Sequence, residues 1–205
     1  MMEVMNAAMI CKLYFSKLFL NPEDLYVQRD VKDNYEMHRT LERVFGKNKD
    51  ERLLWRFEKN DGKYVLYCQS RTKPNWNKLT NAFRYYMLRE PIVVEFTPPT
   101  NGSWRYRILA NAAVNTPEGR KGLLAQNEQE AWFKEMATRN GFALQSLNSF
   151  GYLKKFKRSQ ITAAATKLEG VLTINDGMKF TEFVQNGIGK CKAFGFGLVT
   201  LAKIS

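Results

Sequence analysis

Histidine is nearly absent from this chain: His38 is the one imidazole in 205 residues. A metal centre built from several histidines is therefore excluded. Cysteine is scarce too. Cys11, Cys68 and Cys191 are odd in number, far apart and in no Cys-x-x-Cys pair, so neither a disulfide framework nor a zinc site is indicated. No long apolar run is present. Lys12 and Lys17 interrupt the run MMEVMNAAMICKLYFSKLFL at 1–20, and Glu3 stands where a signal peptide would be positive. A soluble, cytoplasmic protein with no membrane partner is expected. Acidic side chains are missing over one long stretch, from Met136 to Leu168, where Arg139, Lys154, Lys155, Lys157, Arg158 and Lys167 supply six cations.

What is there fits a packed protein that meets a polyanion. Hydrophobic residues make up 44% and aromatic residues 13%, enough to bury a core. The 32 Lys and Arg against 20 Asp and Glu give a formal charge of +12, which suits nucleic acid, an acidic membrane or an acidic protein. Solubility alone also accounts for a basic balance, but not for its concentration in one stretch.

The patterning predicts a first strand over 10–15 (ICKLYF), then a polar, turn-rich stretch, NPEDLYVQRDVKD, ending at Asp33. Asp33 is placed to N-cap a helix, with Glu36 closing a capping box. Met37, Leu41, Val44 and Phe45 follow at the spacing of one buried helix face, and Gly46 ends it. LLWRFEK and KYVLYCQ, joined by Asn60-Asp61-Gly62, predict a β-hairpin. A short helix over 76–87 and a strand over 92–96 complete a βαββαβ order. After TPPTNG at 97–102 the order recurs: a strand over 103–114, a helix over 126–141, strands near 142–149 and 168–174, a helix over 178–187 and a strand over 194–203. The fold expected is α+β, two tandem ferredoxin-like (RRM-like) domains at 1–96 and 103–205 joined by a linker at 97–102. Trp55, Phe57, Tyr64 and Tyr67 could form a base-stacking platform on an open sheet, or be ordinary core and cross-strand aromatics.

Near the C-terminus, GIGKCKAFGFG at 187–197 brackets Lys190 and Lys192 with Gly187, Gly189, Gly195 and Gly197. Glycines leave backbone N–H groups open to a ligand, and an RNA phosphate backbone would fit there. A helix C-cap followed by a bulged strand explains Gly187 but not the other three. The stretch has neither the Gly-Lys-Ser/Thr ending of a P-loop nor a Gly-x-Gly-x-x-Gly fingerprint, which excludes both nucleotide readings.

The form GhGxxxxxGhG (h, hydrophobic) resembles the glycine-rich loop of the CRISPR-associated RAMP superfamily of RNA-binding proteins. LEGVLTIND at 168–176 and QNGIGKCKAFGFGLVTLA at 185–202 are similar to its CasE endoribonuclease branch, the RNA-processing subunit of the type I-E Cascade complex. YFSKLFL at 14–20 and the Tyr35-x-x-His38-Arg39 pattern match the start of that family. The strand that tends to read R-L-R-A-N-P there is Arg107-Ile108-Leu109-Ala110-Asn111-Ala112 here. The resemblance implies cleavage of CRISPR repeat RNA at the base of its stem-loop and retention in Cascade. It also implies catalysis at Tyr35 and His38 and a basic element of the second domain gripping the RNA. GYLKKFKRSQ at 151–160, with Lys154, Lys155, Lys157 and Arg158, matches that element best.

One histidine suffices for such a reaction, because RNA brings its own nucleophile, the 2′-OH. The protein must hold the in-line geometry, move protons and supply positive charge to the developing phosphorane. No metal and no small-molecule cofactor is called for. Tyr35 and His38, at i and i+3, are neighbours on a helix surface, and His titrates near neutrality. Which of them is the base stays open. Arg39 is a candidate phosphate contact. A non-catalytic RAMP subunit that holds guide RNA is the rival reading, and a generic RRM-type module a third.

Overall fold

The computed structural model describes residues 12–46, 51–82, 86–156 and 162–204. Lys157, Arg158, Cys11 and the N-terminal residues 1–9 lie outside them. Strand β1 (Leu13–Leu20) leads into helices α1 (Leu25–Lys32) and α2 (Asn34–Phe45), the hairpin β2 (Leu54–Asn60) and β3 (Lys63–Ser70), the short α3 (Asn77–Ala82) and β4 (Ile92–Phe96). All pairings are antiparallel, in the order β2-β3-β1-β4. The second half repeats this plan: β5 (Ser103–Asn111), α4 (Gln126–Arg139), β8 (Phe142–Lys155), β9 (Thr162–Ile174), α5 (Gly177–Asn186) and β10 (Val199–Lys203), in the order β10-β5-β9-β8. Two sheets of βαββαβ topology are the tandem ferredoxin-like fold.

Local chemistry accounts for the elements. Asp61 and Gly62 have φ of 48° and 74°, the two positive values a type I′ hairpin turn needs. The α2 face of Met37, Leu41 and Val44 is buried on Trp55, Leu66 and Leu18. In the second half Phe133, Phe142, Phe180 and Phe183 form the core with Ile108, Leu168 and Leu172.

The structure differs from the sequence-based expectations in several places, beginning with the first strand, which is Leu13–Leu20 rather than 10–15. The stretch 21–33 is not a turn region. Asp24 caps α1 there, its Oδ1 accepting from the N–H groups of Tyr26 and Val27. Asp33 ends α1 and begins α2: its N–H donates to Arg29 O while its carboxylate accepts from Tyr35 N–H at 3.0 Å. With that N–H engaged, Glu36 lies instead between Arg29 Nε (3.7 Å) and Arg39 Nη1 (3.8 Å). The helix expected over 76–87 is too long, because Tyr86 is wholly buried and Met87 bridges to Leu20. The strand over 103–114 breaks at Ala112, and β6 (Ala113–Thr116) pairs with β7 (Gly119–Gly122) as a separate exposed hairpin. Finally, the strands placed near 142–149 and 168–174 are 14 and 13 residues long, so Gly151–Lys155 is the end of β8 rather than a loop. The last strand starts at Val199, after a 3₁₀ turn over Lys192–Phe194.

The stretch 97–102 is fastened to the second half. Ile174 N–H donates to Gly102 O, and a side chain at Gly177 would strike Thr100. The sheets are joined through buried Arg56, 4% exposed. It donates to Arg107 O (3.1 Å), Leu198 O (3.3 Å), Thr200 Oγ1 (2.9 Å) and Glu58 Oε1 (2.8 Å). Gln69 adds a bond to Val184 O at 2.8 Å.

Candidate active site

Helix α2 begins at the glycine-rich loop. Asn34 Nδ2 donates to Phe194 O at 2.5 Å, and Trp55 Nε1 donates to Ala193 O at 3.2 Å. These two bonds fix the loop of the second half against the first turn of the helix that carries Tyr35 and His38. Tyr35 is 39% exposed. The His38 ring is less open. Its Nε2 lies 3.6 Å from Glu42 Oε1, beyond hydrogen-bond range, and its Nδ1 is buried without a partner. The imidazole is therefore uncommitted in the free protein, as acid–base groups often are before substrate tightens the geometry.

The four glycines do a different job from the one their openness suggested. At Gly195 (φ 82°) a Cβ would sit 2.8 Å from the Trp55 ring. At Gly187 it would meet Gly197 O and Leu54, and at Gly189 the backbone of Asn111. At Gly197 it would meet Ile188 O. Protein, not open space, faces each of them. The loop is closed on itself by Ile188 N–H to Gly197 O and tied to β5 by Gly197 N–H to Leu109 O. Asn111 completes the anchor: Nδ2 donates to Cys191 Sγ at 3.2 Å and Oδ1 accepts from Ala164 N–H. Lys190 is exposed. Lys192 is half-buried, and that burial, helped by nearby Arg52, pushes its pKa below the usual lysine value.

Lys154 reaches the first turn of α2. Together with Asp30, Asn34, Trp55 and Gly195 it lines a pocket of about 40 Å³ at the start of α2. Its Nζ lies 5.8 Å from the Phe156 ring centre and 6.0 Å from that of Phe196. Lost hydration lowers its pKa. Below that lowered value the charged ammonium costs the free protein stability, and the cost fades as pH rises towards the ordinary lysine value of about 10.4. Lys154→Met should therefore melt higher than the parent at pH ~7, with the gap closing near pH ~10. A lower melting temperature at neutral pH would show that the ammonium is instead held by favourable contacts.

Other expected residues are more scattered. Arg39 is half-exposed beside Glu36, and Lys155 is exposed at the end of β8. Arg107, in the R-L-R-A-N-P-like strand, bonds Glu58 (3.2 Å) and Glu169 (2.7 Å) in the cleft between the sheets. The four aromatics do not share one platform. Trp55 is in the core, Phe57 and Tyr64 meet edge to face, and Tyr67 points to the other side of the sheet under Arg56. Two cations that the sequence reading did not single out, Arg120 and Lys121, lie on the exposed β6–β7 hairpin, where Lys121 pairs with Glu128 at 3.0 Å. Among the described residues no group of three or more His, Cys, Asp or Glu could hold a metal ion. No described helix is long and apolar enough to cross a membrane.

Two ferredoxin-like sheets with a glycine-rich loop docked across their junction define a protein of the tandem ferredoxin-like class. The model of the family described as CRISPR associated protein matches residues 13–203, and the chain belongs to that family. Among curated proteins it resembles the CRISPR-associated endoribonuclease Cse3 of Thermus thermophilus, with 27% identity over 212 residues, 93% of this chain and 100% of that protein. Among solved structures it is similar to T. thermophilus Cse3 bound to an RNA representing a pre-cleavage complex. There the TM-score is 0.86 at 28% identity, over 94% of this chain and 100% of the other. Cas6e from Escherichia coli K-12 gives a TM-score of 0.69 at 25% identity, over 93% and 100%.

Proposed function

We propose that this chain is an endoribonuclease that cuts CRISPR repeat precursor RNA at the base of its stem-loop. The products are a 2′,3′-cyclic phosphate and mature CRISPR RNA, and the protein then joins other Cascade subunits. The observation that carries this reading is the docking of the glycine loop and Lys154 of the second half at the start of α2, the helix on which Tyr35 and His38 lie. The similarity to a Cse3 structure holding RNA supports it.

The chemistry follows from these groups. The 2′-OH next to the scissile phosphate attacks in line, the P–O5′ bond breaks, and the 5′-oxygen leaves with a proton. Tyr35 and His38 share the two proton transfers, one taking the 2′ proton and the other protonating the leaving oxygen. Lys154 and the helix N-terminus bring positive charge to the phosphorane. No metal takes part, because nucleophile, acid and base are all accounted for. Lys155, Lys190 and Arg39, with Arg120 and Lys121 on the hairpin, contact phosphates and set register, while the shape of the hairpin selects the RNA.

The test is a synthetic repeat RNA incubated with the protein in EDTA. The expected result is one cut at the stem base, with a 2′,3′-cyclic phosphate on the upstream product by mass spectrometry. Binding without cleavage would assign the chain to the guide-holding subunits instead.

A further inference from the structure

One face of the second sheet carries, beyond Lys154, a row of side chains that the cleavage chemistry does not use. Residues two apart on a strand share a face, so Asn148, Phe150, Tyr152 and Lys154 form one line along β8. The register sets Phe150 opposite Lys167 and Tyr152 opposite Ala165 on β9. At one end of the line Lys154 enters the pocket beside the catalytic helix. Moving away from it the row opens. Tyr152 is half-buried against the cluster under the glycine loop, whereas Phe150 is 63% exposed. Their ring centres are 6.2 Å apart and the planes are inclined by 36°.

This exposure is on β8, an edge strand of its sheet, where a bare aromatic invites unwanted association unless something covers it. The charge around it says what. Lys167 is exposed across from Phe150, and Glu169, two residues further along β9, is already paired with Arg107 at 2.7 Å. No acid occurs in 136–168. Two aromatic rings beside cations, with the one acid of the row, Glu169, already paired, suit a single-stranded nucleic acid, whose bases stack on such rings and whose phosphates meet the cations. An apolar protein surface would cover the rings but leave Lys154 and Lys167 without counter-charge. A paired stem hides its base faces, so only unpaired nucleotides can use the row.

We propose that Phe150 and Tyr152 stack the unpaired nucleotides that adjoin the scissile phosphate, with Lys167 on the intervening phosphate. This rests on the endoribonuclease reading above and adds to it a contact that fixes the flank of the cleaved strand.

The experiment uses two repeat RNAs made uncleavable by a 2′-deoxy nucleotide at the cut site, one ending at the stem base and one with single-stranded flanks. Affinities are measured for the parent, Phe150→Ala and Phe150→Trp. The parent should gain affinity from the flank. Phe150→Ala should reduce that gain about 5- to 150-fold, the range for one stacked base, and Phe150→Trp should keep it. A 2-aminopurine in the flank should be quenched by the parent and by the Trp variant, and brighten with the Ala variant. An equal gain in all three proteins with unchanged 2-aminopurine emission would overturn the platform and leave the row to a protein partner. Failure of the parent to bind either RNA would overturn the endoribonuclease reading and the platform with it.

Discussion

A His38→Ala variant is expected to cleave repeat RNA about 10²- to 10⁴-fold more slowly than the parent while holding it with nearly the same affinity. The size of the loss follows from the role: removing a general acid or base takes away proton transfer but leaves substrate positioning and charge in place. The fold should be indifferent to the change. The ring makes no hydrogen bond among the described residues, since Nδ1 has no partner and Nε2 stands 3.6 Å from Glu42. Affinity should persist because it rests on cations spread over both halves, not on one imidazole. Single-turnover cleavage on gels and retardation of an uncleavable RNA separate the two quantities. If rate and affinity fell together, His38 would be a binding residue and the proton transfers would have to be sought elsewhere.

The second large effect is expected at Arg56, far from the chemistry. Its guanidinium is buried between the sheets, and loss of hydration there pulls its pKa below the usual arginine value although Glu58 opposes the shift. Arg56→Ala removes the donor to Arg107 O, Leu198 O and Thr200 Oγ1 and opens a void between the halves. Breaking a buried ionic contact costs about 3–5 kcal/mol, which in a chain of this length lowers the melting temperature by roughly 6–20 °C. Arg56→Met should lose much less. It fills most of the volume with no buried charge, Glu58 keeps Arg107, and Arg107 O keeps the Thr200 hydroxyl as donor. Both effects are read by thermal unfolding. Equal losses for Ala and Met would mean that the hydrogen bonds, not the filled space, hold the sheets together. Cleavage should follow stability in this series, because the sheets set the distance from α2 to Lys154.

Much of this site was legible in the sequence because its parts are local. Tyr35, His38 and the cap at Asp33 lie within six residues and obey helical spacing, and the hairpin turn at Asp61-Gly62 needs only two left-handed residues. What was hidden depends on distant contacts. Helix α1 offers few apolar positions, and its buried Asp30 is held by neighbouring Arg29 at 2.6 Å and by distant Tyr86, whose Oη donates to it at 3.1 Å. The end of β8 reads as a charged loop, but pairing with Ala163, Ala164 and Ala165 holds it extended, and the small side chains of Ala163 and Ala165 admit Phe156 and Phe196 on one face. The β6–β7 hairpin has no buried side of its own, hence no alternation to detect. The glycines misled for the same reason. Their number was visible, but the Trp55 ring that fills the space at Gly195 lies 140 residues earlier in the chain.

Asp33 belongs to two helices at once, stopping one and starting the next, with no residue of slack between them. Helical residues advance by 3.6 per turn, so one added or deleted residue at this corner turns everything beyond it by about 100° unless a cap is given up. The start of α2, with Asn34, Tyr35 and His38, would then lose its setting against the glycine loop. Length changes among relatives should accordingly spare this corner and collect at the tip of the β6–β7 hairpin, where nothing of the site depends on the count.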